Sequence, residues 1–410
     1  MAMGPRQPSL DRRLATSALA AFLAFIFAFS GAAFRAAPQA PATQPGSPSS
    51  TGSSTTAPQP PGPSAPAPQT GPPSQAPAAP AQTLPAPRAT QGEAGARQPD
   101  FNQMRRDQAA TDRAFRTASE GVMRMDKIVY RSSLGDLDVP AFIFQPLAPA
   151  APKSRPALVW VHENIRGHLY EHYIPFIRDA TAKGFVVIAP EYRGSIGYGK
   201  RFYDAIDYGG GEVDDVATAV SVLDAKYPEV DPARIGIIGW SHGGLVALLA
   251  VFRNPTMFRS AAAIVPVTNL FQRIAWKGDR QRLLMDPHNR FGGTTSEHPE
   301  VYRERSPLFQ VDKLQIPLLV HMAENDEDVN IEEGMQLIDA LRARKASLAD
   351  TKVYKAPPGG HTFDRLVTPK TWQPENTPDQ RDSWNRVWAF FGRTLEGSQT
   401  SGAKSSGPKR

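Results

Sequence analysis

The sequence predicts an α/β protein built on a mostly parallel, doubly wound sheet. From residue 157 onwards, short apolar runs alternate with segments whose apolar residues recur at helical spacing. The apolar runs, such as 185–189, are uninterrupted, which is typical of strands that helices cover on both faces. In such sheets the reactive groups gather at the carboxyl ends of the strands, so we expect the functional residues there.

Composition divides the 410 residues into four regions. Residues 1–33 combine a basic pair, an uncharged apolar run and a small-residue exit, which is the pattern of a signal peptide or membrane anchor. Residues 34–99 are rich in Pro, Ala and Ser; with 17 of the 40 prolines in 36–99, they are expected to be a disordered linker. Residues 100–392 are long enough for one large core. Residues 393–410, rich in Ser, Gly and Lys, are expected to be a disordered tail.

The N-terminal pattern predicts an exported protein, either periplasmic, secreted or anchored on the outer face of a membrane. Cleavage after Ala32 or Ala33 fits the small-residue rule. The run from Leu14 to Phe34 is also about long enough to span a bilayer, so an uncleaved membrane tether stays open. The chain has no cysteine, which excludes disulfides and thiolate metal sites but does not decide the compartment.

The formal charge of +6 is carried by the ends of the chain. Residues 1–99 sum to +4 and residues 393–410 to +3, which leaves −1 for the body between them. A near-neutral body does not predict phosphate binding, so no nucleic-acid partner is expected. The oligomeric state is left open.

The predicted elements follow one another along residues 100–392. Residues 100–119 have a broken helical pattern, which predicts a helix on the outside of the sheet. Two strands joined by the turn Gly135-Asp136 then predict an antiparallel hairpin at the start of the sheet. The strands are predicted at 127–130, 139–144, 157–161, 185–189, 235–238, 261–265, 317–321 and 352–355, and the later helices at 172–183, 213–226, 245–252, 332–344 and 379–394. The mixed segment 268–310 is expected to cover the site, although its aromatic residues could equally be core.

A serine stands at the tip of a predicted strand–turn–helix. Gly239 and Gly243 lie two residues either side of Ser241 and let the backbone bend sharply. A serine in that position is exposed to a substrate carbonyl, so Ser241 is the predicted nucleophile; a plain glycine-rich turn is the alternative.

A serine hydroxyl needs a base, and the chain order on a sheet of this kind is Ser, acid, His. His361 is the predicted base because it lies in a glycine-rich loop after the last strand. The acid is expected in the loop 323–329, which follows the strand at 317–321 and offers four carboxylates. Asp326 is the first choice and Asp328 the alternative.

A tetrahedral intermediate needs two hydrogen-bond donors for its oxyanion. The backbone N–H of His242 is the predicted first donor, and that of Asn164, in the loop after the first parallel strand, the second. His162 in the same loop is expected to be structural. His168 and His172 are four residues apart, but no further ligand is recognisable, so neither a metal nor a cofactor is predicted.

Several further motifs resemble one enzyme family. They are 190–199 (PEYRGSIGYG), 214–216 (DDV), 230–236 (VDPARIG), 291–293 (FGG), 302–307 (YRERSP) and 316–319 (IPLL). Over residues 155–392 the chain resembles the catalytic α/β-hydrolase domain of the prolyl oligopeptidase family. The resemblance implies an α/β-hydrolase fold, a serine peptidase and a triad of Ser241, Asp326 and His361.

The chain departs from that family in four places. His242 stands where the family often has tyrosine, and the loop 162–167 (HENIRG) replaces the usual His-Gly-Gly-Pro oxyanion segment and resembles dienelactone hydrolases. The acid loop is one residue longer than usual, which keeps Asp328 open. Upstream, no β-propeller fits the sequence, so the site is expected to be more open than in the family's peptidases.

The sequence thus predicts an exported serine hydrolase that forms an acyl-enzyme and acts on short peptides. A carboxylesterase or dienelactone-type hydrolase of small esters or lactones is the alternative. A non-catalytic cell-envelope binding protein on the same fold is the third possibility, which the intact Ser, acid and His candidates disfavour.

Overall fold

A computed structural model describes residues 99–395. Residues 1–98 and 396–410 lie outside the described residues, and the predicted signal, nearly all of the linker and most of the tail fall on them. In the described range, no helix has both the length and the apolar character that a membrane crossing needs.

The core element is one sheet of eight strands in the order β1-β2-β4-β3-β5-β6-β7-β8. β2 is antiparallel to both of its neighbours, and all later pairs are parallel. The predicted fold class, a mostly parallel sheet that begins with an antiparallel hairpin, is therefore confirmed. The strands are β1 (Met123–Arg131), β2 (Asp138–Pro146), β3 (Arg155–Val161), β4 (Val186–Pro190), β5 (Val230–Trp240), β6 (Ser260–Ile264), β7 (Leu318–Ala323) and β8 (Ala349–Tyr354).

Helices cover both faces of the sheet. They are α1 (Phe101–Ser119), α2 (Ile174–Ala182), α3 (Lys200–Asp204), α4 (Gly211–Lys226), α5 (Ser241–Arg253), α6 (Leu270–Lys277), α7 (Asp279–Met285), α8 (Pro299–Glu304), α9 (Ile331–Arg344) and α10 (Pro378–Leu395). The apolar faces of α4, α5 and α9 form one buried cluster with the sheet, and those of α1, α2 and α10 form the other. Side chains alternate along a strand, so β5 sends Ile235 and Ile237 into the first cluster and Ile238 and Trp240 into the second.

Several element boundaries differ from the predictions, and three of these differences have a local reason. The helix predicted at 172–183 is split into a short 3₁₀ turn and α2, because Pro175 lacks an N–H and is suited to the first turn of a helix. α5 begins at Ser241 and not at residue 245, since glycines that were interpreted as turn residues lie in its first turn. α10 continues to Leu395, one residue beyond the predicted helix and three beyond the predicted domain boundary at 392, because that leucine is buried among the apolar side chains of its cluster.

A buried histidine in β7 makes the stability of the fold depend on pH. The ring of His321 is fully buried, and its Nδ1 lies 2.9 Å from the Ser383 hydroxyl of α10. Burial lowers the pKa of His321 to about 3 from an ordinary 6.5. The folded state keeps the ring neutral while the unfolded chain protonates it, so this contribution is present above pH 6.5 and is lost as the pH falls towards 3. We expect His321 alone to remove about 2 kcal/mol of stability between pH 7.5 and pH 5.

Urea unfolding at the two pH values checks this expectation. His321→Gln should lose less stability on acidification than the wild type, whatever its stability at pH 7.5. The matched control is His288→Gln, which removes an exposed histidine. An equal acid-induced loss in His321→Gln and the wild type would show that another group carries the effect.

Candidate active site

Ser241 occupies a strained turn between β5 and α5. Its φ of +53° lies in the left-handed region, which a serine adopts only where its surroundings hold it. A Cβ on Gly239 would lie 2.2 Å from the carbonyl oxygen of Gly243, and one on Gly243 would lie 2.2 Å from the carbonyl oxygen of His162. Both glycines are therefore required by close backbone contacts. Only 5% of the serine is exposed, on the side of a cavity at the carboxyl end of the sheet.

His361 and Asp326 form a hydrogen-bonded pair at the same edge of the sheet. His361 Nδ1 lies 2.7 Å from Asp326 Oδ2. The other carboxylate oxygen, Oδ1, accepts hydrogen bonds from the backbone N–H groups of Asp328 and Val329, at 2.7 and 2.8 Å. The Asp326 side chain is fully buried, so the loop after β7 fixes both of its oxygens. This arrangement holds the imidazole by Nδ1 and leaves Nε2 for another group.

The Nε2 atom of His361 is buried and has no hydrogen-bond partner within residues 99–395. Ser241 is thus not hydrogen-bonded to it in this structure.

Asp328, the alternative acid, has different partners. Its Oδ1 accepts a hydrogen bond from Lys277 Nζ at 2.6 Å, and its Oδ2 lies 3.9 Å from His361 Nε2. Its side chain is half exposed. The structure therefore places Asp326, and not Asp328, on the nitrogen that an orienting acid holds.

The two predicted oxyanion donors line one cavity with the serine. His242 lies in the first turn of α5, where a backbone N–H has no partner inside the helix. Asn164 adopts a φ of +70° in the loop after β3, and its side-chain amide donates to the Tyr170 hydroxyl at 3.0 Å. The cavity, of about 350 Å³, is lined by these residues together with Ser241 and Ile165.

A buried polar network connects the three loops of the site. Arg365, four residues after the histidine, bonds Asp364 at 2.8 Å and also pairs with Glu163, next to the Asn164 donor. Asp364 in turn accepts a 2.6 Å hydrogen bond from the indole of Trp240, the residue before the serine. Burial alone would raise the pKa of Glu163, but the Arg365 guanidinium and a neighbouring histidine more than offset it and hold that pKa well below its ordinary value. The network was not foreseen from the sequence.

The remaining histidines near the site have structural partners. His162 bonds Ser195 through Nε2 and its neighbour's carbonyl through Nδ1, both at 3.0 Å, and burial lowers its pKa to about 3. A ring held neutral in this way fits the structural role predicted for it. His242 packs its ring 4.2 Å from that of Tyr208 and places Nε2 2.8 Å from a Glu212 oxygen. Within residues 99–395, no three His, Asp or Glu side chains are placed to hold a metal ion.

Segment 268–310 contributes residues that sequence reasoning missed. Arg273, Lys277, Gln281 and Leu284, from α6 and α7, line the cavity with the serine. Phe271 instead is half-buried and packs against other aromatic rings of the segment, beside the core. The available signal was the i, i+4 spacing of two cations in a segment expected to cover the site, for which no helix was predicted.

Comparison with known proteins identifies a family for this chain. The family model described as "Prolyl oligopeptidase family" matches residues 175–397, more than half of the chain. The uncharacterized peptidases YuxL and YtmA of Bacillus subtilis are 29% identical over 255 residues and 33% identical over 163 residues. These matches cover 60% and 40% of this chain, but only 36% of YuxL and 60% of YtmA, so the chain spans less than two thirds of either relative.

Solved structures share the fold. An acylaminoacyl peptidase of Pyrococcus horikoshii superposes with a TM-score of 0.56 at 20% identity, over 67% of this chain and 42% of that one. A puromycin-hydrolyzing peptidase of Mycobacterium tuberculosis gives 0.55 at 24% identity, over 67% and 39%. Because the family model covers more than half of its residues, the chain belongs to the prolyl oligopeptidase family and, with that family, to the serine hydrolases.

Proposed function

We propose that this protein is an exported serine peptidase that cleaves short peptides through an acyl-enzyme on Ser241. The observation that carries the proposal is the Asp326–His361 pair, with its 2.7 Å hydrogen bond, at the sheet edge where the serine stands on its strained turn. A buried acid that holds Nδ1 of an imidazole stabilises the imidazolium formed when Nε2 takes a proton.

In the proposed reaction, the same residues act first in acylation and then in deacylation. Ser241 Oγ attacks the scissile carbonyl carbon while His361 Nε2 accepts the hydroxyl proton. The N–H groups of His242 and Asn164 bind the oxyanion of the tetrahedral intermediate. His361 then gives the proton to the leaving amine, the C–N bond breaks, and the acyl group stays on the serine. Water, deprotonated by the same imidazole, releases the acid and restores the hydroxyl.

Peptides are the proposed substrates because the relatives with the same catalytic region are peptidases by name. The solved structures with this fold include proteins described as acylaminoacyl and puromycin-hydrolyzing peptidases. An esterase is the second candidate. It is favoured by the loop 162–167, which carries a buried glutamate beside the proposed oxyanion donor where the family's usual segment has glycine.

Rates on two substrate series test the choice. We expect hydrolysis of peptide amides of two to six residues, together with hydrolysis of p-nitrophenyl esters, since an ester is the easier acyl donor for the same serine. The control is the same series with a fluorophosphonate-treated enzyme. Ester hydrolysis without any amide hydrolysis would exclude the peptidase and favour the esterase.

Export is supported by the sequence pattern of residues 1–33 alone. Fractionation of cells that express the full chain, with N-terminal sequencing of the recovered protein, separates a cleaved signal from a retained anchor. Recovery of the uncleaved chain in the cytosol would contradict export.

A further inference from the structure

A buried guanidinium lines the cavity and forms no close ion pair within the described residues. Arg273 of α6 is only 6% exposed, and it lines the same cavity as the catalytic serine. Its Nη1 donates to the backbone carbonyl of Asp328 at 3.1 Å, while its Nε is buried without any partner in the described chain. Within residues 99–395, it forms no salt bridge with a carboxylate.

The acidic groups around Arg273 have other hydrogen-bond partners. The carboxylate of Asp328, which also lines the cavity, is paired with Lys277 at 2.6 Å. Glu333, at the start of α9, is buried, and its Oε1 accepts the backbone N–H groups of Thr268 and Asn269 at 2.6 and 3.0 Å. Its Oε2 is buried without a hydrogen-bond partner in the described chain, and it is not close enough to Arg273 to form a salt bridge. The charged side chains that line the cavity are thus two cations and one carboxylate, which gives it a positive balance.

A charge taken out of water without a partner is unfavourable, and an anionic ligand removes that penalty. A guanidinium binds a carboxylate through two parallel hydrogen bonds, which fixes orientation as well as charge. Arg273 therefore offers the cavity beside Ser241 a binding position for a carboxylate. Its volume of about 350 Å³ limits the ligand to a short segment.

We propose that Arg273 binds a carboxylate of the substrate, so that the enzyme prefers peptides with a carboxylate close to the scissile bond. The inference rests on the proposed peptidase function and names the substrate class of the same site. Two sources offer this chemistry: the C-terminal carboxylate of a short peptide and the side chain of an Asp or Glu residue.

Matched peptides separate the two sources. One pair has the same sequence with a free C-terminus or a C-terminal amide; a second pair is amidated and carries Glu or Gln at one position. Charge-assisted hydrogen bonds of a buried group correspond to roughly 10- to 100-fold in affinity. We expect kcat/KM to favour the carboxylate member of at least one pair by about that factor, and the favoured pair identifies the source.

Arg273→Gln should bring that ratio close to one, and Arg273→Lys, which keeps a charge but not the planar fork, should give an intermediate ratio. Arg116→Gln, which removes an exposed arginine from α1, should keep the wild-type ratio. A wild-type ratio near one in both pairs, or a ratio that survives Arg273→Gln and is lost in Lys277→Met, would overturn the proposal.

A measurement on the wild type alone covers the case in which Arg273→Gln does not fold. An N-acetylated amino acid with a free carboxylate should protect the serine from fluorophosphonate labelling at least 10-fold better than its amide. Equal protection would overturn the proposal. If neither pair is cleaved while labelling proceeds, the peptidase function fails; if both members are cleaved equally, only the role of Arg273 fails.

Discussion

Ser241→Ala is expected to abolish fluorophosphonate labelling and to lower kcat by about 10⁶-fold on any substrate that the wild type hydrolyses. The reason is that alanine removes the atom that forms the acyl-enzyme, and the oxyanion donors alone accelerate attack by water only modestly. The substitution removes one oxygen from a turn held by its glycines, so the fold should persist. Labelling, kcat and thermal unfolding of the variant are the measurements.

Variants of His361 test whether the serine acts as part of a triad. His361→Ala should cost about as much as Ser241→Ala, and the double variant little more than either, because groups that act as a unit are not additive. Ser133→Ala, which changes an exposed serine after β1, is the control and should label like the wild type. Labelling that persists in Ser241→Ala would assign the nucleophile to another residue.

The sheet and its helices were predictable because their signals are local. Uninterrupted apolar runs such as 185–189 have apolar side chains on both faces of the strand, so helices must cover both faces. The glycines two residues either side of Ser241 indicate the sharp turn at the start of α5. The same glycines made the predicted start of α5 wrong, because the helix begins at Ser241 and not at residue 245. Their tight contacts with the backbone of β3 and of the turn itself come from the fold and not from helical spacing.

The parts that escaped prediction depend on residues distant in sequence. Arg365 meets Glu163 across 202 positions, and Trp240 meets Asp364 across 124. The residues that flank each of these four positions in sequence give no sign that the side chain has a buried partner. Arg273 belongs to the segment that was expected to cover the site, but its burial without a salt bridge appears only when α6 packs over the cavity.

The sequence left two candidates for the orienting acid, Asp326 and Asp328, and the structure gives their carboxylates different partners. Asp326→Asn is expected to lower kcat by about 10⁴-fold, whereas Asp328→Asn should change it by less than about tenfold. An asparagine at position 326 can still accept the backbone N–H groups of Asp328 and Val329 through its oxygen, so the loop should keep its shape. Its amide group would then face His361 Nδ1 as a donor, which forces the ring proton onto Nε2 and prevents that nitrogen from accepting the serine proton.

Kinetics of the two variants on one ester and one peptide decide the assignment, with urea unfolding as the check that both are folded. Asp328→Asn also weakens the pair with Lys277, so a modest change in KM is compatible with its place at the cavity wall. A 10⁴-fold loss in Asp328→Asn with near-normal activity in Asp326→Asn would reverse the roles. The 2.7 Å bond to His361 would then be a structural contact, and the carboxylate 3.9 Å from Nε2 would have to move to orient the ring in the bound state. The buried, doubly bonded position of Asp326 disfavours that outcome, because an orienting acid must be held before the substrate arrives.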